Sequence, residues 1–446
     1  MAFQQGLSGL NASSKALDVI SNNIANSSTV GFKSSRTIFA DAYASAITGG
    51  SSVQRTGIGT KVAAVAQSFS QGGLTATSNP LDVAISGNGF FRLVRPDGTT
   101  AYSRNGQFDV DKNGHIINAS GDSLTGFAAD STSTGGATVF EGVPSVLIID
   151  TSNVNPNETT QASIGLNLDS NSKNPLNQTP LGSDITNFLN ATSIPVDSYN
   201  YTTSMTVYDS LGNGSLMNMY FVRDADVGGV SPNTWSVYGR LSNDIVPDTT
   251  DPALSTGKPL ENLGTITFTS FGVPDTSVAN NGLFTVTRTA AELATGADDL
   301  TFSLNLSQTT QWNMGSGVTT SPRQDGFTTG SLTGVTVTDT GVLQGSYSNG
   351  QIKDLAMIAL ANFSSPQGLT SLGDNLWAES YDSGQPTVGA PGTGVLGSLS
   401  AGQVEESNVD LTQELVQLIV QQRNYQANAQ SIQAQDQILQ TLVNLR

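Results

Sequence analysis

A short polar run in the first quarter of the chain has the spacing of a calcium-binding loop. Residues 109–114, Asp-Val-Asp-Lys-Asn-Gly, match the first half of an EF-hand loop, whose alternating side-chain oxygens surround Ca²⁺. The twelfth position of such a loop is Ser120, where a bidentate glutamate is needed, and the flanking residues have the pattern of strands. The run therefore predicts a hairpin turn without a metal, and His115 is predicted to be a surface residue of that turn.

Two further patterns resemble sites of chemistry. Residues 392–397 match G-x-G-x-x-G, but a dinucleotide site needs a strand before this motif and a helix after it. Pro391 precedes the motif and a Ser/Gly-rich stretch follows it, so the sequence predicts a linker there. Neighbouring carboxylates such as Asp298 and Asp299 suit glycoside hydrolysis only where the fold sets them about 5–9 Å apart across a sugar. We therefore predict no catalytic residue, no metal site and no cofactor.

The composition excludes several classes of protein. The 446 residues include 18 Lys+Arg against 36 Asp+Glu, a net charge of −18, whereas a nucleic-acid-binding protein needs a basic surface. The chain contains no cysteine, so disulfides, thiolate metal sites and cysteine nucleophiles are impossible. Only 12% of the residues are charged and 47 are glycine, which together favour a β-rich extracellular or structural protein.

The sequence has no pattern of a secretory signal or of a membrane span. Lys15 is the first cation, so the N-terminus lacks the basic region that precedes the apolar core of a signal peptide. The longest apolar runs, residues 143–149 and 355–361, are far shorter than the roughly 18–20 residues that cross a bilayer. We expect no membrane insertion and, if the chain leaves the cytoplasm, export without a cleaved signal.

The first thirty residues predict an amphipathic helix. Ser14 and Ser21 occupy two positions of a stripe that recurs every three or four residues. The apolar members of this stripe are Leu7, Leu10, Leu17 and Ile24. The helix should end near residues 26–31, a cluster of turn formers that finishes in glycine.

Residues 408–446 predict a second and longer helix. No Gly or Pro occurs after residue 402, and the segment begins with N-cap residues and first-turn acids. Its stripe alternates steps of four and three and consists of Leu411, Leu415, Leu418, Gln422, Tyr425, Ala429, Ile432, Asp436, Leu439 and Val443. Because no other long helix is predicted, the two helices should pair with each other as a coiled coil and contact other copies of the chain.

Between the two ends the apolar period changes to two. Runs rich in β-branched and aromatic residues predict strands at residues 81–86, 90–94, 205–208, 217–222, 266–269 and 335–338. Six Asn-Gly dipeptides suit type I′ turns and predict many tight antiparallel hairpins. We therefore expect a mainly β fold with terminal α-helices, in which a β-rich body forms two successive outer domains.

Composition divides the chain into four predicted regions. Residues 150–325 carry 17 acids and 6 bases between Pro/Asn/Asp-rich boundaries, which predicts an inserted outer β domain with a solvated acidic surface. The other three regions are a terminal helical domain (1–30 and 405–446), an extended connecting region (31–75 and 366–404) and an inner β domain (76–149 and 326–365).

Several segments resemble the family of bacterial flagellar rod and hook proteins. Residues 18–33, Asp-Val-Ile-Ser-Asn-Asn-Ile-Ala-Asn-Ser-Ser-Thr-Val-Gly-Phe-Lys, are similar to the N-terminal signature of that family. Three runs resemble its shared core and two resemble its terminal helix; they are residues 82–91, 102–108, 114–126, 406–416 and 422–430. The family motif positions carried over are Asn22, Asn23, Ala25, Asn26, Gly31, Phe32, Asn408 and Asp410.

Within this family the chain resembles the hook members, through its ending at residues 435–446 and through residues 207–212. The resemblance implies a non-enzymatic subunit that is exported unfolded by the flagellar type III apparatus and polymerises beneath a cap, outside the cell. The resulting curved, flexible tube would act as a universal joint. The implied partners are other copies of the chain, the hook cap, the distal rod protein, the hook–filament junction proteins and the export apparatus.

Two alternatives remain open on the sequence. A distal rod protein of the same family would form a straight, rigid tube. A secreted β-rich adhesin or glycan-active protein would use the acidic residues 150–325 as its site.

Overall fold

The fold is mainly β with an α-helix at each end, as the sequence predicts. The computed structural model describes residues 2–42, 59–130, 139–140, 142–175, 194, 196–224, 233–242, 245–246, 256–257, 260–293 and 295–444. Over these residues the chain forms 31 β-strands and three α-helices. They group into two compact units, a first unit of Met1–Thr151, Thr333–Ser346 and Ile352–Arg446, and a second unit of Ser152–Leu332 and Tyr347–Gln351.

The two long helices belong to the first unit. Helix α1 spans Ala2–Ala25 and helix α3 spans Leu411–Asn444, whereas the single-turn helix α2, Ala290–Leu293, lies in the second unit. Helix α3 begins where its cap residue predicts. Asp410 Oδ1 accepts hydrogen bonds from the backbone amides of the second and third residues beyond it, at 2.9 and 3.1 Å, and so satisfies two otherwise unpaired donors.

A hairpin follows α1, in the region that the sequence left without regular structure. Strand β1, Ser35–Ala42, pairs antiparallel with β2, Gly59–Gln67, and the residues that connect them lie outside the described part of the chain. Burial along β2 does not alternate between successive residues, so the strand has no period of two that sequence reasoning could detect.

Two short strand pairs join the N-terminal part of the first unit to its C-terminal part. Strand β3, Leu74–Ala76, pairs with β31, Gln403–Glu405, and strand β4, Val83–Ser86, pairs with β30, Ser398–Ala401. Both pairs are antiparallel. The first unit therefore needs strands from both ends of the chain.

The body of the first unit is built on a 14-stranded sheet. Its strands are β5 (Phe90–Val94), β6 (Thr100–Ser103), β7 (Asp109–Val110), β8 (Ile116–Ile117), β9 (Ser123–Asp130), β10 (Val139–Phe140), β11 (Ser145–Val146), β23 (Leu332–Val337), β24 (Val342–Tyr347), β25 (Ile352–Ile358), β26 (Leu360–Asn362), β27 (Thr370–Gly373), β28 (Leu376–Ala378) and β29 (Thr387–Gly389). The main path runs β23-β24-β25-β9-β5-β6-β28-β27. Edge-to-face aromatic contacts fill one part of its core, where the Phe90 and Trp377 ring centroids are 5.8 Å apart.

The second unit has two main sheets that share one core. The five-stranded sheet contains β12 (Gln161–Asp169), β19 (Leu283–Arg288), β20 (Leu300–Asn305), β21 (Thr310–Trp312) and β22 (Gly317–Gln324). The four-stranded sheet contains β13 (Tyr201–Tyr208), β14 (Gly214–Arg223), β15 (Thr234–Leu241) and β18 (Glu261–Thr267), and a separate pair consists of β16 (Ile245–Val246) and β17 (Thr256–Gly257). Strands β19 and β20 alternate exposed and buried residues, which is the period of two that predicts such strands.

The Asn-Gly turns differ from the geometry that the sequence predicts. Three of the six dipeptides lie at turns between consecutive antiparallel strands, at residues 113–114, 213–214 and 349–350. A type I′ turn needs a positive φ at the asparagine, and none of these three asparagines has one, so that expectation is wrong. In the first of these turns the Gly114 amide donates to Asp111 O at 3.0 Å and Gly114 has φ +84°, the pattern of a type I turn followed by a left-handed glycine.

The calcium-like run forms the predicted hairpin turn between β7 and β8. Asp111 Oδ1 accepts the backbone amides of Asn113 and His115, each at 2.8 Å, so this carboxylate stabilises the turn itself. In the described part of the chain no group of three or more His, Asp or Glu side chains could hold a metal ion.

The other two patterns also have structural roles. Residues 390–397 connect β29 to β30 in a turn, in which the Gly392 amide donates to Gly397 O at 2.9 Å. Asp299 Oδ1 accepts the amide of Ala290 at the start of α2. Among the described helices, none is long and apolar enough to cross a membrane.

Candidate functional site: the helix pair and its junction with the β body

Helices α1 and α3 pair antiparallel as a coiled coil. Asn23 Nδ2 donates to Glu414 Oε1 at 3.2 Å, and Gly9 lies against Asn428 fourteen residues away on each helix, so the register is constant between these points. A Cβ atom added to Gly9 would lie 2.8 Å from Asn428 Nδ2, closer than real contacts allow. The end of the Asn428 side chain therefore occupies the space that a Cβ at position 9 would need.

The buried face of α1 consists mainly of small residues. Its fully buried members are Ala12, Ser13, Ala16, Ile20 and Asn23. The apolar stripe predicted from the sequence lies beside this face. Leu7 is 44% exposed, and the other stripe residues are half-buried; they are Leu10, Leu17 and Ile24. Helix α1 contacts both α3 and the β1–β2 hairpin, and the side chains that these contacts bury are mainly small, whereas sequence reasoning favours large ones.

Helix α3 is largely uncovered. None of its described side chains, Leu411 to Thr441, is buried. Of the predicted stripe, Leu418 and Ile432 are half-buried, while Leu411, Leu415, Tyr425 and Leu439 are exposed, and the side chain of Val443 lies outside the described residues. Apolar residues off the stripe are exposed as well; they are Val416, Ile419, Val420 and Ile438. A single copy of the chain therefore leaves apolar surface on more than one side of this helix.

A buried ionic cluster joins the segment after α1 to strand β31, and we call it the junction: Lys33, Gly72, Arg104 and Glu405. Lys33 Nζ lies 2.6 Å from Glu405 Oε1, and Arg104 Nη1 lies 3.2 Å from Glu405 Oε2. The amide of Gly72 donates to Glu405 Oε1 at 2.9 Å. The Lys33 and Glu405 side chains are completely buried. One carboxylate thus serves two cations and one backbone donor.

Both cations of the junction have further partners. Lys33 Nζ donates to Ser70 O at 2.7 Å, and Arg104 Nη2 donates to Gly87 O at 2.8 Å. The Arg104 guanidinium also lies 5.4 Å from the centroid of the Phe90 ring. Burial lowers the pKa of the Lys33 ammonium below its ordinary value, while the adjacent Glu405 carboxylate opposes that shift. Burial also lowers the pKa of the Arg104 guanidinium, and the Glu405 carboxylate opposes that shift.

Two asparagines of the family motif connect the helices to neighbouring backbone. Asn23 Oδ1 accepts the amide of Ser35 at 3.0 Å and its Nδ2 donates to Ser35 O at 2.7 Å, as a neighbouring strand would. Asn408 Oδ1 accepts the amide of Ser34 at 2.7 Å, and its Nδ2 donates to Ser68 O at 2.8 Å. Each amide side chain therefore fixes the start of the β1–β2 hairpin relative to one terminal helix.

The remaining motif residues shape the chain after α1. Asn26 Nδ2 donates to Asn22 Oδ1 at 2.6 Å, and the amide of Gly31 donates to Glu405 O at 2.8 Å. Gly31 has φ +70°, and a Cβ there would lie 2.6 Å from the amide nitrogen of Asn105, so only glycine fits. Phe32 O accepts the amide of Asn408, whereas the Ala25 side chain is exposed.

A groove of about 260 Å³ lies between the helix pair and the hairpin. Glu414 Oε2 and Thr37 Oγ1, both on its lining, are buried atoms without a hydrogen-bond partner. Burial raises the pKa of the Glu414 carboxyl, while the hydrogen bond from Asn23 acts in the opposite direction and Asp410 adds to the rise.

Sequence reasoning missed the ionic junction. Lys33 and Arg104 stand in segments that resemble the family, but spacing and periodicity give neither them nor Glu405 a functional role. A signal existed, because only 12% of the residues are charged and Arg104 is the single charge within residues 102–108. Their convergence depends on the fold and could not be read from spacing.

Family models of flagellar proteins match four parts of the chain. The matches, by description, are "Flagella basal body rod protein" at residues 3–33, "Flagellar hook protein FlgE/F/G D1 domain" at 84–167, "Flagellar basal body protein FlaE D2 domain" at 167–327 and "Flagellar basal body rod FlgEFG protein C-terminal" at 400–445. The first and last of these segments contain the helices that pair.

Relatives match the chain from end to end. The flagellar hook protein FlgE of Escherichia coli (strain K12) is 43% identical over 449 residues, covering 100% of both chains. Its counterpart in Salmonella typhimurium (strain LT2) is 42% identical over 448 residues, again covering 100% of both. The protein of that name in Borreliella burgdorferi (strain B31) is 30% identical over 467 residues, covering 100% of this chain and 99% of the relative.

Proposed function

Because this chain belongs to the flagellar hook protein family, we propose that it is the structural subunit of a bacterial flagellar hook. Copies of the chain polymerise into a curved, flexible tube that couples the rod to the filament as a universal joint. The proposal assigns the chain no catalytic activity, and the structural roles of Asp111, Asp299 and residues 392–397 support it.

The observation that carries the proposal is the exposure of α3. Val416, Ile419 and Ile438 are 56%, 50% and 59% exposed in the single chain, and no described side chain of this helix is buried. The apolar surface of a long helix must be covered by other side chains, and in the single chain α1 covers only one side of α3. Other copies of the chain supply that cover in the polymer.

The predicted stripes on α1 and α3 are proposed as contacts between subunits. They are Leu7, Leu10, Leu17, Ile24, Leu411, Leu415, Leu418, Tyr425, Ile432, Leu439 and Val443. Their partial exposure, where described, supports this assignment. The motif residues Asn23, Gly31 and Asn408 instead bond to the hairpin and the body within one subunit, and Asp410 caps α3.

We propose four regions within the subunit, with separate roles in the polymer. The terminal helical domain (1–30 and 405–446) surrounds the central channel. The inner β domain (76–149 and 326–365) and the inserted outer β domain (150–325) face outward. The connecting region (31–75 and 366–404) lets neighbouring subunits shift by small amounts as the tube bends.

The proposed partners follow from membership of the hook family. They are other copies of the chain, the hook cap, the distal rod protein, the hook–filament junction proteins and the flagellar type III export apparatus. The subunit acts outside the cell after export without a cleaved signal. The net charge of −18 and the lack of a basic cluster support the expectation that nucleic acid is not a ligand.

Electron microscopy of the concentrated full-length protein tests the proposal. Curved tubes are the expected result. Straight, rigid tubes would instead indicate a distal rod protein, and protein that remains monomeric at every concentration, with clear binding in a glycan screen, would contradict a structural role.

A further inference from the structure

The six Asn-Gly dipeptides of the chain carry a reactive pair of groups. In each, the backbone nitrogen of the glycine can attack the side-chain amide carbon of the asparagine, because glycine has no Cβ to obstruct the approach. The ring that forms then hydrolyses to aspartate or isoaspartate, and such asparagines are among the least durable residues of proteins. In a folded chain, hydrogen bonds that hold either group oppose the reaction.

Five of the six asparagine side chains are held by hydrogen bonds. Asn281 Nδ2 donates to Thr267 O at 2.7 Å and to Asp275 O at 2.9 Å. Asn349 Nδ2 donates to Thr328 O at 2.8 Å. The other three bond to a carboxylate or a backbone amide of their own turns; they are Asn105, Asn113 and Asn213. Each of these bonds must break before the side chain can turn towards the next backbone nitrogen.

Asn88, in the turn between β4 and β5, differs from the other five. Its side chain is exposed and makes no hydrogen bond with any residue that the structure describes. The amide of Gly89, which is the attacking nitrogen, also donates to no described residue, whereas the Gly114 amide donates to Asp111 O at 3.0 Å. Within the described chain, Asn88 is therefore the Asn-Gly site at which neither reacting group must first leave a hydrogen bond to the protein.

The turn that contains Asn88 contacts three other segments of the first unit. Asn88 O accepts the amide of Gly397 at 2.7 Å. Gly87 O accepts Arg104 Nη2 at 2.8 Å, and the Gly87 amide donates to Gln71 Oε1 at 3.0 Å. A covalent change in the backbone at residue 88 would therefore affect contacts well beyond the turn.

We propose that Asn88 is a site of spontaneous covalent modification in water, and that the isoaspartate formed there weakens the β4–β30 pair. A base in the solvent removes the Gly89 amide proton, and the nitrogen attacks Asn88 Cγ. The bond from Cγ to Nδ2 breaks, and ammonia leaves with the proton that the base returns. A water molecule then opens the ring, adding its hydroxyl to one ring carbonyl carbon and its proton to the nitrogen that leaves that carbon. Opening at Cγ gives aspartate, and opening at the main-chain carbonyl carbon gives isoaspartate.

Isoaspartate lengthens the main chain by one carbon atom, because the chain then passes through Cγ. The main-chain carbonyl of residue 88, which accepts the Gly397 amide, becomes a carboxylate on a side branch. Since Ser398 pairs with Ser86, the hydrogen bond from Gly397 continues the β4–β30 ladder by one step, and its displacement should loosen the pair from that end. Aspartate leaves the main chain unchanged and adds only an exposed charge, so it should have little effect.

Peptide mapping of the native, full-length monomer after incubation in mildly alkaline buffer tests the site. Mass spectrometry, with fragmentation that distinguishes isoaspartate from aspartate, measures the conversion of each Asn-Gly dipeptide in the same sample. Asn88 should react about fivefold faster or more than each of the other five, because those side chains must first lose a hydrogen bond. Equal or faster conversion at any of the other five, or no conversion at Asn88, would overturn the proposal.

The same incubation in denaturant shows whether the structure causes this order. Unfolding releases all six side chains, and each is followed by glycine, so their rates should then agree to within about threefold. A lead of Asn88 that persists unchanged in denaturant would contradict the structural explanation.

Hydrogen exchange tests the effect on the β4–β30 pair. The probes are the amides of residues 83–85 and 399–401, which lie in strands that pair with each other and not with residue 88. In the molecules that contain isoaspartate, their exchange should accelerate by about fivefold or more. Faster exchange confined to the Gly397 amide, or no change, would contradict this part of the proposal.

Two variants are the controls. Asn88→Gln, whose longer side chain forms the ring far less readily, should keep slow exchange at these probes after the same incubation. Freshly prepared Asn88→Asp, which has the added charge and the normal main chain, should remain within about threefold of fresh wild type. Acceleration in Asn88→Asp equal to that in incubated wild type would show that charge, and not the longer main chain, loosens the pair. All of these measurements use the monomer, so their failure is distinguishable from a failure to form tubes.

Discussion

The second unit and the helix pair bury their apolar residues to very different extents. In the second unit, the faces of two sheets cover each other, and Trp235, Leu166 and Phe302 are each at most 2% exposed. Helix α3 buries none of its described side chains. The core of the second unit is thus covered within one copy of the chain, whereas the helix pair has apolar side chains that one copy leaves uncovered. Apolar residues that are buried in the monomer stabilise the fold of the subunit, whereas those that stay exposed are available for contacts between subunits.

The uncovered apolar surface of α3 is large enough to drive association. Complete burial of a Leu, Ile or Val side chain contributes about 1.5–3 kcal/mol, so the half-exposed aliphatic residues of this helix leave on the order of 5–10 kcal/mol unrealised. Association costs translational and rotational entropy. The free energy gained by burying this surface against a single partner exceeds that cost by only a small amount. Repeated contacts in a polymer satisfy this requirement better than an isolated dimer.

The largest expected effect comes from the core of the second unit. Trp235→Ala should destabilise that unit by about 3–5 kcal/mol, because a fully buried ring is replaced by a cavity. Trp312→Ala, at a side chain that is 46% exposed, is the control and should cost less than about 1.5 kcal/mol. Denaturant unfolding followed by hydrogen exchange measures both. Similar losses of stability for the two tryptophans would contradict the conclusion that burial in the second unit determines its stability.

The next prediction concerns a variant that affects polymerisation far more than the stability of the monomer. Leu415→Asp combined with Ile419→Asp should raise the critical concentration for polymerisation by about 100-fold, since two apolar contacts between copies become charged. The unfolding free energy of the monomer should fall by no more than about 1–1.5 kcal/mol, because about half of each side chain already faces water. Sedimentation and thermal unfolding report the two quantities.

The chain offers a control with the same spacing on the same helix. Gln433→Asp combined with Gln437→Asp adds the same charge at exposed polar positions and should leave the critical concentration within a few fold of wild type. A monomer that unfolds readily in the Leu415/Ile419 variant would show that these residues serve folding, contrary to the comparison.

A smaller effect is expected where the helix pair meets the hairpin. Asn23→Ala removes three hydrogen bonds and leaves the Ser35 amide and carbonyl without their side-chain partner, at an expected cost of about 1–3 kcal/mol. Asn22→Ala, one position earlier and exposed, should cost less than about 1 kcal/mol. Thermal unfolding of the monomers distinguishes the two, and equal costs would argue against a special role for Asn23.

The smallest effect is a dependence on pH. Since burial raises the pKa of Glu414, the folded chain keeps this proton to higher pH than the unfolded chain, and stability should decline as pH rises through the raised pKa. Glu414→Gln keeps the acceptor for Asn23 and removes the charge. It should flatten the decline and stabilise the monomer at neutral pH by about 0.5 kcal/mol or less, after allowance for solvent screening.

Monomer melting temperatures measured from about pH 4 to pH 7 check this last prediction. Glu406→Gln, at an exposed site, should retain the wild-type slope. A slope that Glu414→Gln leaves unchanged would mean that another group causes the dependence.

Sequence alone predicts the regular elements because they follow from local periodicity. The helices at 2–25 and 411–444 and the strands near residues 90–94 and 205–208 lie where the apolar spacing puts them. The β1–β2 hairpin escaped prediction because its strands lie half-exposed and lack alternation. The type I′ expectation is wrong because, at residues 113–114 and 349–350, Asn-Gly fits a type I turn whose glycine is left-handed.

The junction was beyond prediction for a different reason. Lys33, Arg104 and Glu405 meet across separations of more than 300 residues, and no local pattern encodes such a meeting. The buried face of α1 is predicted only in part, because Ala12 and Ala16 carry little hydrophobic weight and yet are buried. Long-range convergence and close packing of small residues both require the three-dimensional structure.

The antiparallel register makes the two ends of the chain unequal in their tolerance of length changes. With Asn23 opposite Glu414 and Gly9 opposite Asn428, the first residue of α1 stands level with the part of α3 near residue 435. About nine residues of α3, or roughly 13 Å, extend beyond it. Loss of those residues would leave the contacts of α1 at Asn23, Gly9 and Gly6 in place, whereas an equal loss from the N-terminus would remove Gly6 and Gly9 from the helix pair. The monomer can therefore accept variation in the length of its last helix, but not of its first.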